Sequence, residues 1–302
     1  MSPLPPRPRA VIDAHHHVWD LANDLPWLKH GRIPFRYGDY SAMCRNYMPA
    51  DYRADTAGWP VVGSVYVEAE WNRDLAAEES RWVAAVSAEH GLPSAVVAWC
   101  DFAQPNAAAL LASHAAVAIV RGVRHKPAAV ASAAEAKRGA PGSMDDPVWR
   151  AGYALMERHG LSYDLQTPWW HLDAAADLAK DFPGTPLIIN HTGLPADRGP
   201  EALSAWRRAL EKAAAHENVA IKISGIGRPG LPWTVEANAP VIRDAIAIFG
   251  TDRAMFASNF PVDGLVGDFD TIFSGFLAAT AERTEKERDK LFHDNAVRIY
   301  RL

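Results

Sequence analysis

The order of hydrophobic patterns predicts an α/β fold: a (β/α)8 barrel in a single domain over 1–302, with a long loop after the first strand. Three observations carry this. Eight short, β-rich apolar runs alternate with longer helical runs, which means βαβ units and a parallel sheet. Eight such units fit 302 residues that are 49% apolar, and barrels of this size are often one domain. The first strand leads into Ala14-His15-His16-His17 rather than a Gly-rich phosphate turn, which argues against the alternative, an open doubly wound sheet.

The first strand is the apolar run opening Val11-Ile12-Asp13, bounded upstream by a Pro-rich leader. Strand alternation predicts that Asp13, His15 and His17 share one face and that His16 and Val18 share the other. The segment 21–60 is rich in Trp, Tyr, Phe and Pro and reads either as a lid over a pocket or as a plug at one barrel end. The rhythm then predicts strand over 61–71 and helix over 74–90, strand over 93–102 and an Ala/Leu-rich helix from about 105. It continues with strand 117–125, helix 146–159, strand 161–166, helix 171–180, strand 186–191 and helix 200–215. Strand 219–224, helix 235–249, strand 254–259 and terminal helices complete it.

Composition excludes several function classes. Net charge is −5 without a basic run, so neither nucleic acid nor an anionic membrane is an expected partner. Cys44 and Cys100 have no CxxC spacing, which fits a reducing compartment and no cysteine-rich zinc site. No apolar stretch reaches a membrane span, and no apolar core follows the leader 1–10 as in a signal peptide. The expected location is the cytoplasm.

Barrel active sites lie at the C-terminal strand ends, and polar side chains collect there. They are His15 and His17; Glu68 and Glu70, placed on one face with Tyr66; Arg124 and His125; Asp164 and Gln166; Asn190 and His191; Lys222 and Ser224; and Asn259 and Asp263. Each alone has a structural explanation, such as a core histidine or a Lys222–Glu68 pair filling the barrel. Their recurrence at separate strand ends points to a site, because buried charge is costly without a partner or a purpose.

The segments Ile12-Asp13-Ala14-His15-His16-His17-Val18-Trp19-Asp20, Gly122-Val123-Arg124-His125, Leu187-Ile188-Ile189-Asn190-His191-Thr192-Gly193 and Ile221-Lys222-Ile223-Ser224-Gly225 occur in this order. They are followed by Ser258-Asn259-Phe260-Pro261-Val262-Asp263 and Asp294-Asn295-Ala296-Val297-Arg298-Ile299-Tyr300. The set resembles the amidohydrolase superfamily, on the branch that includes sugar-lactone and 2-pyrone-4,6-dicarboxylate lactonases. The resemblance implies that His15, His17 and His191 meet at the site. There they would hold one divalent metal, commonly zinc, or contact the scissile carbonyl without an essential metal. It also implies that Arg124 binds a substrate carboxylate or oxygen.

One position departs from the resemblance. Where the family usually has an aspartate acting as base at the eighth strand, this chain has Asn259, and an amide orients water but does not deprotonate it. Asp263 is the preferred substitute base if its loop folds back; Glu68, His125 and a metal-bound hydroxide are the others. The carboxylated lysine of two-metal relatives has no counterpart, since Lys126 and Lys222 fall elsewhere, which argues against a binuclear centre.

The function expected is hydrolysis of a small oxygen-rich lactone, a sugar lactone or an anionic ring. His15, His17 and His191 polarise the carbonyl, while Glu68, Arg124, His125, Lys222 and Ser224 hold substrate polar groups. Trp169 and Trp170 line the pocket or pack on its rim. A metal-dependent decarboxylase or hydratase of an unsaturated acid is the alternative on the same barrel. A small-molecule binder without turnover is the alternative from another class.

Overall fold

A computed structural model describes residues 4–30 and 33–302; the first three residues of the leader and positions 31–32 of the long segment lie outside it. Eight strands form one parallel sheet in chain order: β1 (Val11–His16), β2 (Val61–Val67), β3 (Ala95–Trp99), β4 (Val120–His125), β5 (Ser162–Leu165), β6 (Leu187–Ile189), β7 (Val219–Ile223) and β8 (Ala254–Phe256). Backbone bonds join its two edges just past the last strand: Asn259 N donates to His15 O at 2.7 Å and His17 N to Phe260 O at 2.7 Å. The sheet therefore closes as a (β/α)8 barrel, which leaves no open edge in need of cover. Among the described residues, no helix is long and apolar enough to cross a membrane.

Alternation along the strands builds two apolar layers. Val65, Val67, Ala95, Val97, Ile188, Ala220, Met255 and Ala257 meet one another inside the barrel, with Ala296 and Tyr300 of the terminal helix (Asn295–Tyr300). Their neighbours Tyr66, Val96, Ala98, Tyr163, Leu187, Ile189, Ile221 and Phe256 face outward into the helix layer. The strand side chains of the interior are mostly alanine and valine, and the ring of Tyr300 packs against them from the terminal helix.

Strict alternation fails in β1. Its register against β2 shifts between Asp13 and His16. Tyr52 donates to Asp13 Oδ2 at 2.8 Å, and its ring lies 4.3 Å from that of His16. Asp13 and His16 thus meet the same tyrosine, and Asp13 does not share the histidine face expected for it. It accepts from Ser258 N (2.8 Å) and Ser258 Oγ (2.5 Å), fastening β1 to the turn after β8. A bulge of this kind re-aims the side chains that follow it, which here are His15 and His17.

Several strands end earlier than the pattern predicts, because the polar residues at their C-terminal ends have left the ladder. β2 stops at Val67 rather than 71, β6 at Ile189 and β8 at Phe256. Among its described residues the segment 21–60 holds short α-helices at Pro26–Lys29 and Pro49–Asp55 and a 3-10 turn at Ser41–Met43, and Trp27 and Phe35 line the barrel mouth. Trp19 and Tyr47 pair through their backbones, and Trp27 stacks on Phe35 with ring centroids 5.7 Å apart.

Candidate active site

A cavity of about 260 Å³ opens at the C-terminal ends of the strands. His17, Glu68, Arg124, Gln166, His191 and Asn259 form its floor and one wall. Trp27, Phe35 and Arg36 of the long segment close the other side, so this segment does wall a pocket. The volume suits one sugar-sized ring.

Three imidazoles meet at the floor. The ring centroids of His15 and His17 are 5.1 Å apart, and those of His15 and His191 are 4.7 Å apart. All three rings are buried. Burial holds each of them neutral: His15 and His191 well below the usual imidazole value, and His17 down to about 4, with nearby cations adding to the effect. A neutral imidazole has one N–H and one lone pair, and the surroundings assign them. His17 Nδ1 lies 2.8 Å from the Val67 carbonyl, which only accepts, so Nδ1 carries the hydrogen and Nε2 keeps the lone pair. His191 Nδ1 lies 2.9 Å from Ser224 Oγ; with the hydroxyl donating, Nε2–H is the free donor. Neither ring nitrogen of His15 has a protein partner, and this ring sits behind the two that face the cavity.

The backbone around these groups is unusual. Glu70, His191, Thr192, Leu194 and Asn259 have φ between 53° and 58°, a left-handed region that costs non-glycine residues on the order of 1 kcal/mol or more each. Gly225 has φ 57°, and a Cβ there would lie 2.5 Å from His191 Nδ1, so only glycine leaves room for that ring.

The loop after β8 does fold back. Asn259 Nδ2 donates to Asp263 Oδ1 at 2.7 Å, and the Tyr37 hydroxyl donates to the same oxygen at 3.1 Å. Burial pushes the Asp263 carboxyl up to about 6, against the lowering field of Arg36 and these two donors. Asp263 is nevertheless outside the cavity lining and meets it only through Asn259. This removes the direct contact that its expected role as base on water requires.

The opposite wall is charge-matched. Arg124 Nε donates to Glu68 Oε1 and Nη2 to the Glu68 carbonyl, both at 2.7 Å, and Nη1 reaches Gln166 at 3.1 Å. Arg73 Nη1 donates to Glu68 Oε2 at 2.8 Å, and Lys126 pairs with Glu70. Burial alone would raise the Glu68 carboxyl, but Arg124, Arg73 and Lys126 outweigh it and hold Glu68 ionised. Arg124 therefore commits two of its five N–H donors to Glu68 and one to Gln166.

Other expected residues lie elsewhere. His125 follows Arg124 and so faces outward, where its Nδ1 accepts from Trp149 Nε1 at 3.1 Å among outer-layer aromatics. Trp170 Nε1 donates to the Val130 carbonyl at 3.1 Å and Trp169 packs edge-on to it, so both brace the rim rather than line the cavity. Lys222 is fully buried in the barrel interior, with Nζ 2.5 Å from Asp164 Oδ1 and 4.9 Å from the centroid of the Tyr300 ring. Ser224 braces His191 and is not part of the lining. Tyr66 turns outward to Glu79 (2.7 Å) while Glu68 turns toward Arg124, so the two do not share a face. Arg36, missed in the sequence, is the one arginine in the aromatic run 33–37, and that isolation was its signal.

The donor chemistry suits a divalent metal at His17, braced through Nδ1–H with its Nε2 lone pair available, and at His191 only in the tautomer that donates Nδ1–H to Ser224. Their placement is less suited: among the described residues, no three His, Cys, Asp or Glu side chains converge as a ligand set.

Comparison with known proteins agrees with the architecture. The amidohydrolase family profile matches residues 12–302. The uncharacterized protein y4mH of Sinorhizobium fredii is 40% identical over 97% of this chain and 99% of its own length. An L-fucono-1,5-lactonase of Burkholderia ambifaria is 28% identical over 96% of this chain and 95% of its own. An amidohydrolase from Burkholderia multivorans, solved with zinc bound, superposes with a TM-score of 0.77 at 25% identity, covering 97% of this chain and 99% of that one. With the profile running from the first strand to the last residue, this chain belongs to the amidohydrolase family, on its lactonase-like branch, and is a hydrolase.

Proposed function

We propose that the protein opens the ring of a small, oxygen-rich lactone. The observation that carries this reading is the pair of buried imidazoles facing the cavity: His17, whose Nε2 keeps its lone pair, and His191, whose Nε2–H is free when the Ser224 hydroxyl donates to Nδ1. Similarity to L-fucono-1,5-lactonases supports the substrate class.

In this mechanism the lactone carbonyl oxygen accepts from His191 Nε2–H, which stabilises the oxyanion as water adds. Asn259, its amide nitrogen tied to Asp263, offers Oδ1 to orient that water. His17 Nε2 takes the water proton. The resulting imidazolium is favoured by the Val67 carbonyl, Glu68 and Asn259, and opposed by burial and Arg124. The proton is therefore held briefly and passes to the ring oxygen as the carbon–oxygen bond breaks, giving a hydroxy acid. His15 supports both rings from behind. A divalent ion of the zinc class would need His15, His17 and His191 to converge more closely than they do, and no step here runs through it.

The test is a panel of aldonolactones followed by proton release. Turnover by the wild type, falling by about 10²-fold or more in His17→Gln, supports the assignment. Absence of turnover of any lactone by folded protein, or wild-type rates in His17→Gln, overturns it.

A further inference from the structure

Two side chains of the long segment reach back into the barrel. Trp27 Nε1 donates to the Ala69 carbonyl at 2.9 Å, which anchors the segment to the loop after β2. Tyr37 goes further in. It follows Phe35 and Arg36 of the cavity wall, but its own side chain passes behind the lining, and its hydroxyl donates to Asp263 Oδ1 at 3.1 Å. The same oxygen accepts from Asn259 Nδ2 at 2.7 Å. One buried oxygen therefore joins the wall at 33–37 to Asn259 at the floor. Tyr37 is 8% exposed and Asp263 1%, so water does not compete for this bond. The hydroxyl has room because residue 227 is glycine; a Cβ there would crowd it at 3.2 Å. Burial and the Asp263 charge raise the Tyr37 hydroxyl above the usual phenol value, so it remains a donor.

The main chain of Asn259 is already fixed. Its N–H donates to the His15 carbonyl at 2.7 Å, its carbonyl accepts from Asp263 N at 3.1 Å, and its φ is 55°. What is left to set is the amide. Its nitrogen and oxygen are close in size, so packing does not choose between its two orientations; the hydrogen-bond partner does. A carboxylate oxygen accepts, so it takes Nδ2 and leaves Oδ1 for the side of His17, whose proton affinity Asn259 raises. Asn259 and Asp263 are four residues apart in one loop, so their bond alone lets the pair turn together. Tyr37, 226 residues away in sequence, ties that oxygen to another part of the fold, assisted by a backbone bond from Gly225.

We propose that Tyr37 is a positioning residue for the hydrolytic step: through Asp263, its hydroxyl fixes the Asn259 amide with Oδ1 toward the attacking water. The role of the water rests on the lactone-hydrolase reading; the Tyr37–Asp263–Asn259 chain does not. An amide cannot deprotonate water, so direction is what Asn259 contributes. Turned the other way, it would offer the water a donor in place of an acceptor.

Two measurements test it. Tyr37→Phe keeps the ring and the Arg36 guanidinium over it and removes the hydroxyl. In the first measurement this change is made in the wild type and in Asn259→Ala, and both pairs are assayed on a lactone that the wild type turns over. Tyr37→Phe should lower kcat about tenfold with KM within about twofold, and by less than about twofold once Asn259 is alanine. A raised KM at unchanged kcat, or the same loss in both backgrounds, overturns the proposal, because the hydroxyl then only holds the wall. The second measurement uses no lactone. The side-chain N–H signals of Asn259, identified by their absence in Asn259→Ala, are followed by NMR, and a cooperative melt confirms that each variant is folded. In the wild type these protons should exchange slowly with water, and Tyr37→Phe should speed the exchange about tenfold or more. Identical signals and exchange in the two proteins overturn the proposal. Exchange that depends on Tyr37, in a protein that turns over no lactone, leaves the chain standing as the device that orients the amide and removes the hydrolase reading instead.

Discussion

Replacing Asp263 with asparagine isolates one buried titration. The substitution preserves shape and keeps an Oδ1 that can accept from Asn259 and Tyr37, but it removes the ionisable group. In the folded protein the carboxyl titrates at about 6, against 3.8 when unperturbed. The folded state therefore binds the proton more tightly than the unfolded chain does. This contribution to stability is complete below pH ~4 and is lost as pH rises through about 6, by roughly 3 kcal/mol at 1.36 kcal/mol per unit. The asparagine variant has no such loss. The stability of Asp263→Asn relative to wild type should rise by roughly 3 kcal/mol between pH 4 and pH 7.5, on top of any constant offset from altered hydrogen bonds. Urea unfolding followed by the fluorescence of the 11 tryptophans measures both proteins at each pH, and other titrating groups cancel in the difference. A difference that stays flat across this range would falsify the buried placement of Asp263 and restore it as a base with direct access to the cavity.

Four further outcomes follow from the same geometry. Gly225→Ala drives a methyl to 2.5 Å from His191 Nδ1; activity should fall by about 10-fold or more for a stability cost of ~1–3 kcal/mol, and a variant with normal kinetics would show that the ring position is unimportant. Lys222→Met strands Asp164 in the barrel interior and should cost about 3–5 kcal/mol in denaturant; an unchanged midpoint together with a raised KM would return Lys222 to substrate binding. Because His17 is neutral down to about pH 4, kcat/KM should be level from pH 6 to 8 and decline only near 4–5, so an acid limb at 6.5 argues for another base. Asn259→Asp places a second carboxylate where the amide now lies 2.7 Å from Asp263 and gives the histidines an anionic co-ligand. Zinc retained after dialysis should increase over wild type, and identical zinc content in both proteins speaks against the histidine cluster as a cation site.

The barrel was legible because hydrophobic period and length both report backbone layout, and neither depends on fine side-chain placement. His17, His191, Glu68, Arg124 and Asn259 were legible for a related reason: a polar residue ending an apolar strand has few places to go other than the barrel mouth. His125 and Lys222 were misplaced, each for its own geometric reason, while the two tryptophans took the rim alternative. Adjacent residues on a strand face opposite ways, so Arg124 at the cavity sends His125 into the helix layer. Inward-facing residues occupy several layers, and Lys222 lies in one sealed by Asp164 and Tyr300, a partner far along the chain. The bulge between Asp13 and His16 is likewise invisible to a period count, because it comes from pairing with Tyr52 and Ser258.

Arg36 was hidden for a different reason. It lies in a segment without periodicity, and its relevance comes from what it does not meet. An exposed arginine beside aromatics is ordinary; one in a cavity wall, without a carboxylate partner among the described residues, is not. The two walls thus differ in how their charge is settled. Glu68 is neutralised within the protein, so the wall it shares with Arg124 is fixed before substrate arrives. Arg36, in the other wall, forms no ion pair among the described residues, and its charge also lowers the proton affinity of His191. A carboxylate bound beside Arg36 would reduce that depression and weaken the His191 N–H as a donor, coupling substrate charge to the reacting group. The salt response separates these effects: 0.5 M chloride should raise KM for a carboxylated lactone while leaving a neutral one little changed, since screening acts over only about 3–10 Å at these strengths. Equal salt effects on both substrates would mean that the coupling is absent.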